Sequence, residues 1–291
     1  MKKLLLTLLL IPFLTYADGY KDRNTLQPTT LFETSFAYQG FDCVSTPKAS
    51  RPVGLLEAII TNSVGSAIHV GIADRLADSE WLLAIVDASA TPDTDGTADA
   101  GCENSTADDC ELIHSGVANN DGATIIGDAQ FDVVCANMTS GTNAASTGVM
   151  AVQYYNGSSM TAATQLSART DETDWAVANG RVCVMWRKPH DQVTGCTSAF
   201  GAAGTCDGKY VIGLIWTTAL DAVVKASQIK VGRLLKSQES LGDNSSIDLN
   251  FDPTDTVIPS DRCLMPVFGG ASGTTGTNGL NSVFLRYREI E

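Results

Sequence analysis

Apolar and polar positions alternate in short runs along most of this chain, and clusters of Gly, Asn, Asp, Ser and Thr separate the runs. A period of two places apolar side chains on one face of an extended segment, so each run reads as a strand and each cluster as a turn. The pattern predicts strands over residues 32–41, 54–61, 67–73, 81–88, 110–115, 123–126 and 131–137, and again over 149–155, 181–188, 210–217, 229–235, 247–251, 264–268 and 282–290. Residues 74–86 and 218–227 also fit helical spacing, because short apolar runs do not separate the two periods. The expected fold class is therefore all-β: a large antiparallel β-sandwich or jelly-roll-like domain with long disulfide-closed loops and at most one or two short helices.

The N-terminus breaks this pattern. Lys2 and Lys3 precede an apolar run from Leu4 to Leu14, then Thr15-Tyr16-Ala17, and the chain turns polar at Asp18. That order is the one a cleavable secretory signal requires, and the run falls well short of the ~20 apolar residues that span a bilayer as a helix. The expected organisation is a signal peptide at 1–17, an N-terminal arm and first strand at 18–41, and one β-sandwich domain at 42–291. No transmembrane anchor is expected. A secreted, extracellular or cell-surface location follows, with the periplasm as a variant.

All eight cysteines, Cys43, Cys102, Cys110, Cys135, Cys183, Cys196, Cys206 and Cys263, lie beyond that signal. An even count in an exported chain favours disulfides, and neither C-x-x-C nor a His/Cys set at zinc-ligand spacing occurs. Two polar loops share one order of features, running from Trp81 through Cys102 and Cys110 to His114, and from Arg181 through Cys196 and Cys206 to Trp216. Each reads as a long hairpin with a tip closed by a local bridge, Cys102–Cys110 and Cys196–Cys206. Cys43, Cys135, Cys183 and Cys263 then pair among themselves in one of three ways.

Charge narrows the partners. The formal balance of −14 becomes −16 once Lys2 and Lys3 are removed (−14 minus +2), and no Lys/Arg cluster offsets it, so nucleic acid is a poor partner. The same acidity supplies oxygen donors. Asp248, Asn250, Asp252 and Asp255 alternate as the donors of a calcium loop do, although the closing Glu of an EF-hand is missing. Asp93, Asp95 and Asp99 form a second, poorer cluster. If the first set holds structural calcium, added calcium raises the melting temperature above that in chelator, and an unchanged melting curve removes the site.

No catalytic residue is assigned. The chain has no G-x-S-x-G turn and three histidines: His69 and His114 in strands, and His190, beside Asp191, at a strand end. Glycosidase chemistry needs two carboxylates across a cleft; Glu80, Glu172 and Glu239 are candidates that spacing cannot pair. Phosphate-binding Gly-rich loops are absent. Trp175, Tyr154 and Tyr155 are candidates for stacking on a glycan ligand, whereas Trp186 and Trp216 sit in apolar strands and read as core. Sequons begin at Asn104, Asn137, Asn156 and Asn244.

Three functional classes remain, the last of them a free periplasmic binding module. The first is a structural or adhesive surface protein, a self-associating filament subunit whose N-terminal strand, with Phe32, Phe36 and Tyr38 on one face, adds to a neighbour's sheet. The second is a secreted carbohydrate-binding or carbohydrate-cleaving protein.

Overall fold

The computed structural model describes residues 27–33, 52–62, 67–86, 110–111, 122–140, 150–166, 180–197, 206–216, 225–252, 256–258, 264–269 and 281–289. The proposed signal peptide, Phe36, Tyr38, Cys43, Cys102, Cys263, Trp175, His114, Glu172, Asp255 and the Asp93 cluster lie outside them. The described chain is built of antiparallel strands: β1 (Gln27–Glu33), β2 (Val53–Asn62), β3 (Ile68–Arg75), β4 (Trp81–Val86), β5 (Cys110–Glu111), β6 (Gly122–Gly127), β7 (Val133–Ser140), β8 (Met150–Tyr155), β9 (Met160–Ala162), β10 (Gly180–Met185), β11 (Tyr210–Trp216), β12 (Lys225–Leu241), β13 (Ser245–Asn250), β14 (Val257–Ile258), β15 (Leu264–Gly269) and β16 (Asn281–Glu289). No α-helix occurs among the described residues, and the all-β expectation holds.

The strands form three sheets. Sheet A runs β1-β16-β2-β13 with β14 also on β2; sheet B runs β10-β7-β12-β3-β15 with β5 on β12; sheet C runs β4-β6-β11-β8-β9. The helical alternative over 74–86 is not realised: the segment closes β3, makes a short 3-10 turn at Asp78–Glu80 and enters β4. Glu80 caps that turn by accepting the Ala77 N–H at 2.6 Å. Six ladder partners on β6 then hold Trp81–Val86 extended, so tertiary pairing overrides helical spacing.

Strand β12 organises the assembly. Its first half pairs with β7 and its second half with β3, and Gly232 has partners on both, Val133 and Arg75. A side chain at Gly232 would put its Cβ 3.1 Å from the Asp74 carbonyl oxygen, so the two ladders meet where only glycine fits closely. Register shifts between Leu234 and Lys236 and between Gln238 and Leu241 bend the second half, as bulges do. The turn after Leu241 then carries the chain from sheet B into β13 of sheet A, and the Asn62 side chain fixes it by donating to the carbonyls of Leu241 (2.9 Å) and Gly242 (3.0 Å).

Register shows how the sheets stack. Val231 lies opposite Val134, and both pack with Ile125, Ile212, Leu214 and Trp216 of sheet C. Two residues on, Arg233 is opposite Asp74, whose same-face neighbours Ile72, Val70 and Ile68 pack with Leu55, Ile60 and Leu285 of sheet A. Sheets A and C therefore cover two halves of one face of sheet B. The opposite face carries Ala73, Val133, Cys135, Cys183, Met185, Met265 and Val267, also buried.

Two disulfides are formed among the described residues. Cys196–Cys206 is the expected local bridge. Cys135–Cys183 belongs to one of the three possible pairings of the remaining four and is a rung between directly opposed residues of β7 and β10. The loop that carries Cys196 and Cys206 is not a hairpin, however: β10 belongs to sheet B and β11 to sheet C. The loop from β4 to β5 likewise passes from sheet C to a strand paired with β12. Both are crossovers between layers, a difference that spacing within one loop cannot reveal.

Candidate functional site

Three places combine polar chemistry with defined geometry. The first is the free end of sheet A. β1 occupies it through one ladder, from Gln27 opposite Tyr287 to Glu33 opposite Asn281. Leu31 is opposite Val283 and Phe32 opposite Ser282. The strand begins earlier than the expected 32–41 and overlaps it at Phe32 and Glu33; residues 34–41 lie outside the described residues. Pro28, which lacks an N–H, fits a strand with one neighbour.

The second place is one end of sheet C. The β8–β9 hairpin turns on Asn156, whose Oδ1 accepts the N–H groups of Ser158 and Ser159, each at 3.0 Å, while its Nδ2 donates to Thr161 Oγ1. This is an Asx turn, so the sequon asparagine at 156 is committed to its own backbone. Tyr154 is 8% exposed: its ring belongs to the core, and its hydroxyl donates to Asp191 at 2.8 Å. That bond, then burial, raises the Tyr154 pKa. Tyr155 donates its hydroxyl to the Gly157 carbonyl, and its ring lies against Gly195, where φ is +115° and an added Cβ would meet it at 3.1 Å. Val193, among the most exposed large apolar residues, lies beside Gly157. His190 is exposed in the same turn, but the hydrogen bond of Asp191 runs to Tyr154.

The third place, which nothing in the sequence singled out, lies where β7, β12 and β3 meet and sets two buried acids near the partly exposed Arg233. Asp132 is 8% exposed and accepts the Leu234 N–H; Asp74, buried, pairs with Arg233. Asp132 also donates its backbone N–H to the Gly232 carbonyl, and its own carbonyl accepts the Trp186 N–H at 3.0 Å. Its carboxylate thus continues the β7–β12 ladder past Val133. Burial pushes its pKa up to about 6, against the opposing pull of the Leu234 N–H, Lys188 and Arg233. The only signal in the sequence is an acid between Phe131 and Val133, a pattern shared by many strand ends.

The remaining candidates are dispersed. His69 is buried on β3, and its Nε2 has no hydrogen-bond partner; burial lowers its pKa, opposed by Glu239 and the Leu166 backbone. Glu239 is exposed on β12. Asp248 and Asn250 lie on the exposed side of β13, alternating with half-buried Ile247 and buried Leu249, and exposed Asp252 follows. An extended strand advances about 3.3 Å per residue, which sets Asp248 and Asn250 roughly 7 Å apart along β13; Asp252 follows the strand, and Asp255 lies outside the described residues. Among the described residues no three His, Cys, Asp or Glu side chains gather as metal ligands.

Asp132 has a measurable consequence. A carboxyl whose pKa is raised on folding stabilises the native state in its neutral form. That contribution is complete below the unfolded value near 3.8 and is lost as pH rises through about 6. Asp132→Asn keeps an oxygen for the Leu234 N–H without the charge. It is expected to match the parent at pH 4 and exceed it by on the order of 2 kcal/mol at pH 8. Urea midpoints at both values check this, and equal gains at both refute it.

No protein-family model, curated protein or solved structure matches this chain.

Proposed function

We propose that this chain is a secreted structural or adhesive surface protein whose copies self-associate through the N-terminal strand, as subunits of a filament. The observation that carries the reading is the place of β1, which among the described residues is an edge strand laddered to β16 alone. Residues 34–52 join it to β2 and can span roughly 60 Å when extended, ample reach to a neighbouring subunit. Main-chain hydrogen bonds give such an added strand its affinity, and a head-to-tail contact propagates unless its rotation closes a ring. The two disulfides suit an oxidising compartment such as the cell exterior. No described helix is long and apolar enough to cross a membrane.

Electron microscopy and sedimentation of the secreted protein test the reading. Concentration-dependent fibres or oligomers are expected, and deletion of residues 18–41 should abolish them. A parent that stays monomeric at millimolar concentration, or a deletion that assembles unchanged, overturns it. Retention on a glycan column by a strictly monomeric protein would favour the carbohydrate-binding class instead.

A further inference from the structure

We infer that the acceptor of the donated strand is the β16 edge of a second copy of this chain, paired in the register β1 has within its own subunit, and not the β13 edge. The inference rests on the self-association reading and specifies its partner surface. Three places on sheet A bear on an incoming strand, namely β13, the outer side of β1, and β16 once its own β1 has left, and the structure treats them differently.

At the β13 end, the Lys236 ammonium donates to the Asn250 carbonyl and lies 5.2 Å from the centroid of the Phe251 ring. A strand arriving there has to displace a lysine that already holds a main-chain acceptor and sits over an aromatic ring. It would also run past exposed Asp248 while bringing its own Glu33. Lysine at an edge is a common protection against unwanted pairing. The outer edge of β1 is a poor acceptor for another reason: it carries Pro28, and proline on an edge strand is a common device against further pairing.

The β16 edge has neither obstacle. Val283 and Leu285 anchor β16 in the core between sheets A and B, and its other side is laddered to β2 from Ser282 to Glu289. β16 therefore stays in place when β1 leaves, with the main-chain groups that β1 had paired left open. A second copy's β1 restores every rung from Gln27 opposite Tyr287 to Glu33 opposite Asn281. The bonds made equal the bonds broken, so the balance rests on concentration: the tethered strand competes at an effective concentration set by the length of its tether. Dilute protein keeps its own strand, and crowded protein at a surface exchanges it.

Cysteine pairing reads the register directly. Thr30 lies opposite Phe284. Chains carrying Thr30→Cys are mixed with chains carrying Phe284→Cys, concentrated until assembled, oxidised mildly and mapped by peptide mass. The expected result is a disulfide joining position 30 of one chain to position 284 of another, with none when the partner carries Ser246→Cys on β13. The double variant in dilute solution should close the same link within one chain, which shows that both substitutions fold. An assembled sample that links position 30 to position 246, or that yields no interchain link to position 284, overturns the β16 assignment while leaving self-association standing. A sample that never assembles overturns both.

Discussion

Replacing Trp186 by alanine is expected to cost about 3–5 kcal/mol, the range for removing a large aromatic side chain from a packed core. Trp186 is 0% exposed. Its ring meets Phe131 edge-on, with centroids 6.1 Å apart and planes at 76°, and it packs with Val184, Val134, Leu214 and Trp216, which come from both sheet B and sheet C. The lost side chain therefore empties the layer between two sheets, where neither can close the gap without shifting its ladder. The backbone there is also committed, since the Trp186 N–H binds the Asp132 carbonyl and Gln165 forms a bridge with Trp186. Domains of this kind are stable by only about 5–15 kcal/mol, so the variant should lose a large part of its stability. Urea unfolding measures it. Trp186→Phe should recover part of the loss by refilling some of the volume, and a cost for alanine below about 1 kcal/mol would contradict this packing.

Removing the Cys135–Cys183 bridge is expected to cost about 4 kcal/mol by its restriction of the unfolded chain, against about 3 kcal/mol for Cys196–Cys206. The difference follows from sequence separations of 48 and 10 residues. Paired alanine substitutions, compared by denaturant midpoint, give the two values. Burial predicts the order of reduction as well. Cys135 and Cys183 are inside the core on the second face of sheet B, whereas Cys196 is partly exposed at the end of sheet C. Under mild reductant and alkylation, label should enter Cys196 and Cys206 first. Earlier labelling of Cys135 or Cys183 would mean that this face opens more readily than its burial implies.

These two expectations differ in how far the sequence anticipates them. The apolar strand around Trp186 marks it as core, and the structure places it there. Sequence assigns Cys135 and Cys183 only to a set of four, because pairing depends on which strands become neighbours. The candidate sites divide in the same way. An N-terminal strand is anticipated from residue 32, and the earlier start of β1 at Gln27 is missed because Gln27-Pro28-Thr29-Thr30 lacks the apolar alternation by which strands are recognised. An edge strand with a single neighbour can do without it. Tyr154 and Tyr155 are both candidates for stacking; the alternation in β8 buries one ring and leaves the next partly exposed, and which of the two turns inward depends on the sheet that covers them.

By itself the sequence determined an all-β chain, the position of most strands, the local Cys196–Cys206 bridge and the aromatic core, because each depends on a period, a turn residue or a short separation. Only the tertiary structure decided that β12 carries ladders to β7, β3 and β5, that loops read as hairpins cross between sheets, and that Asp132 is buried near Arg233. Those features arise from contacts between residues up to 173 positions apart, as Ile68 and Leu241 are (241 − 68). Local propensity is indifferent to which distant partner a strand finds. The partner is selected when burying a whole face of one sheet against two others lowers the free energy of the entire chain.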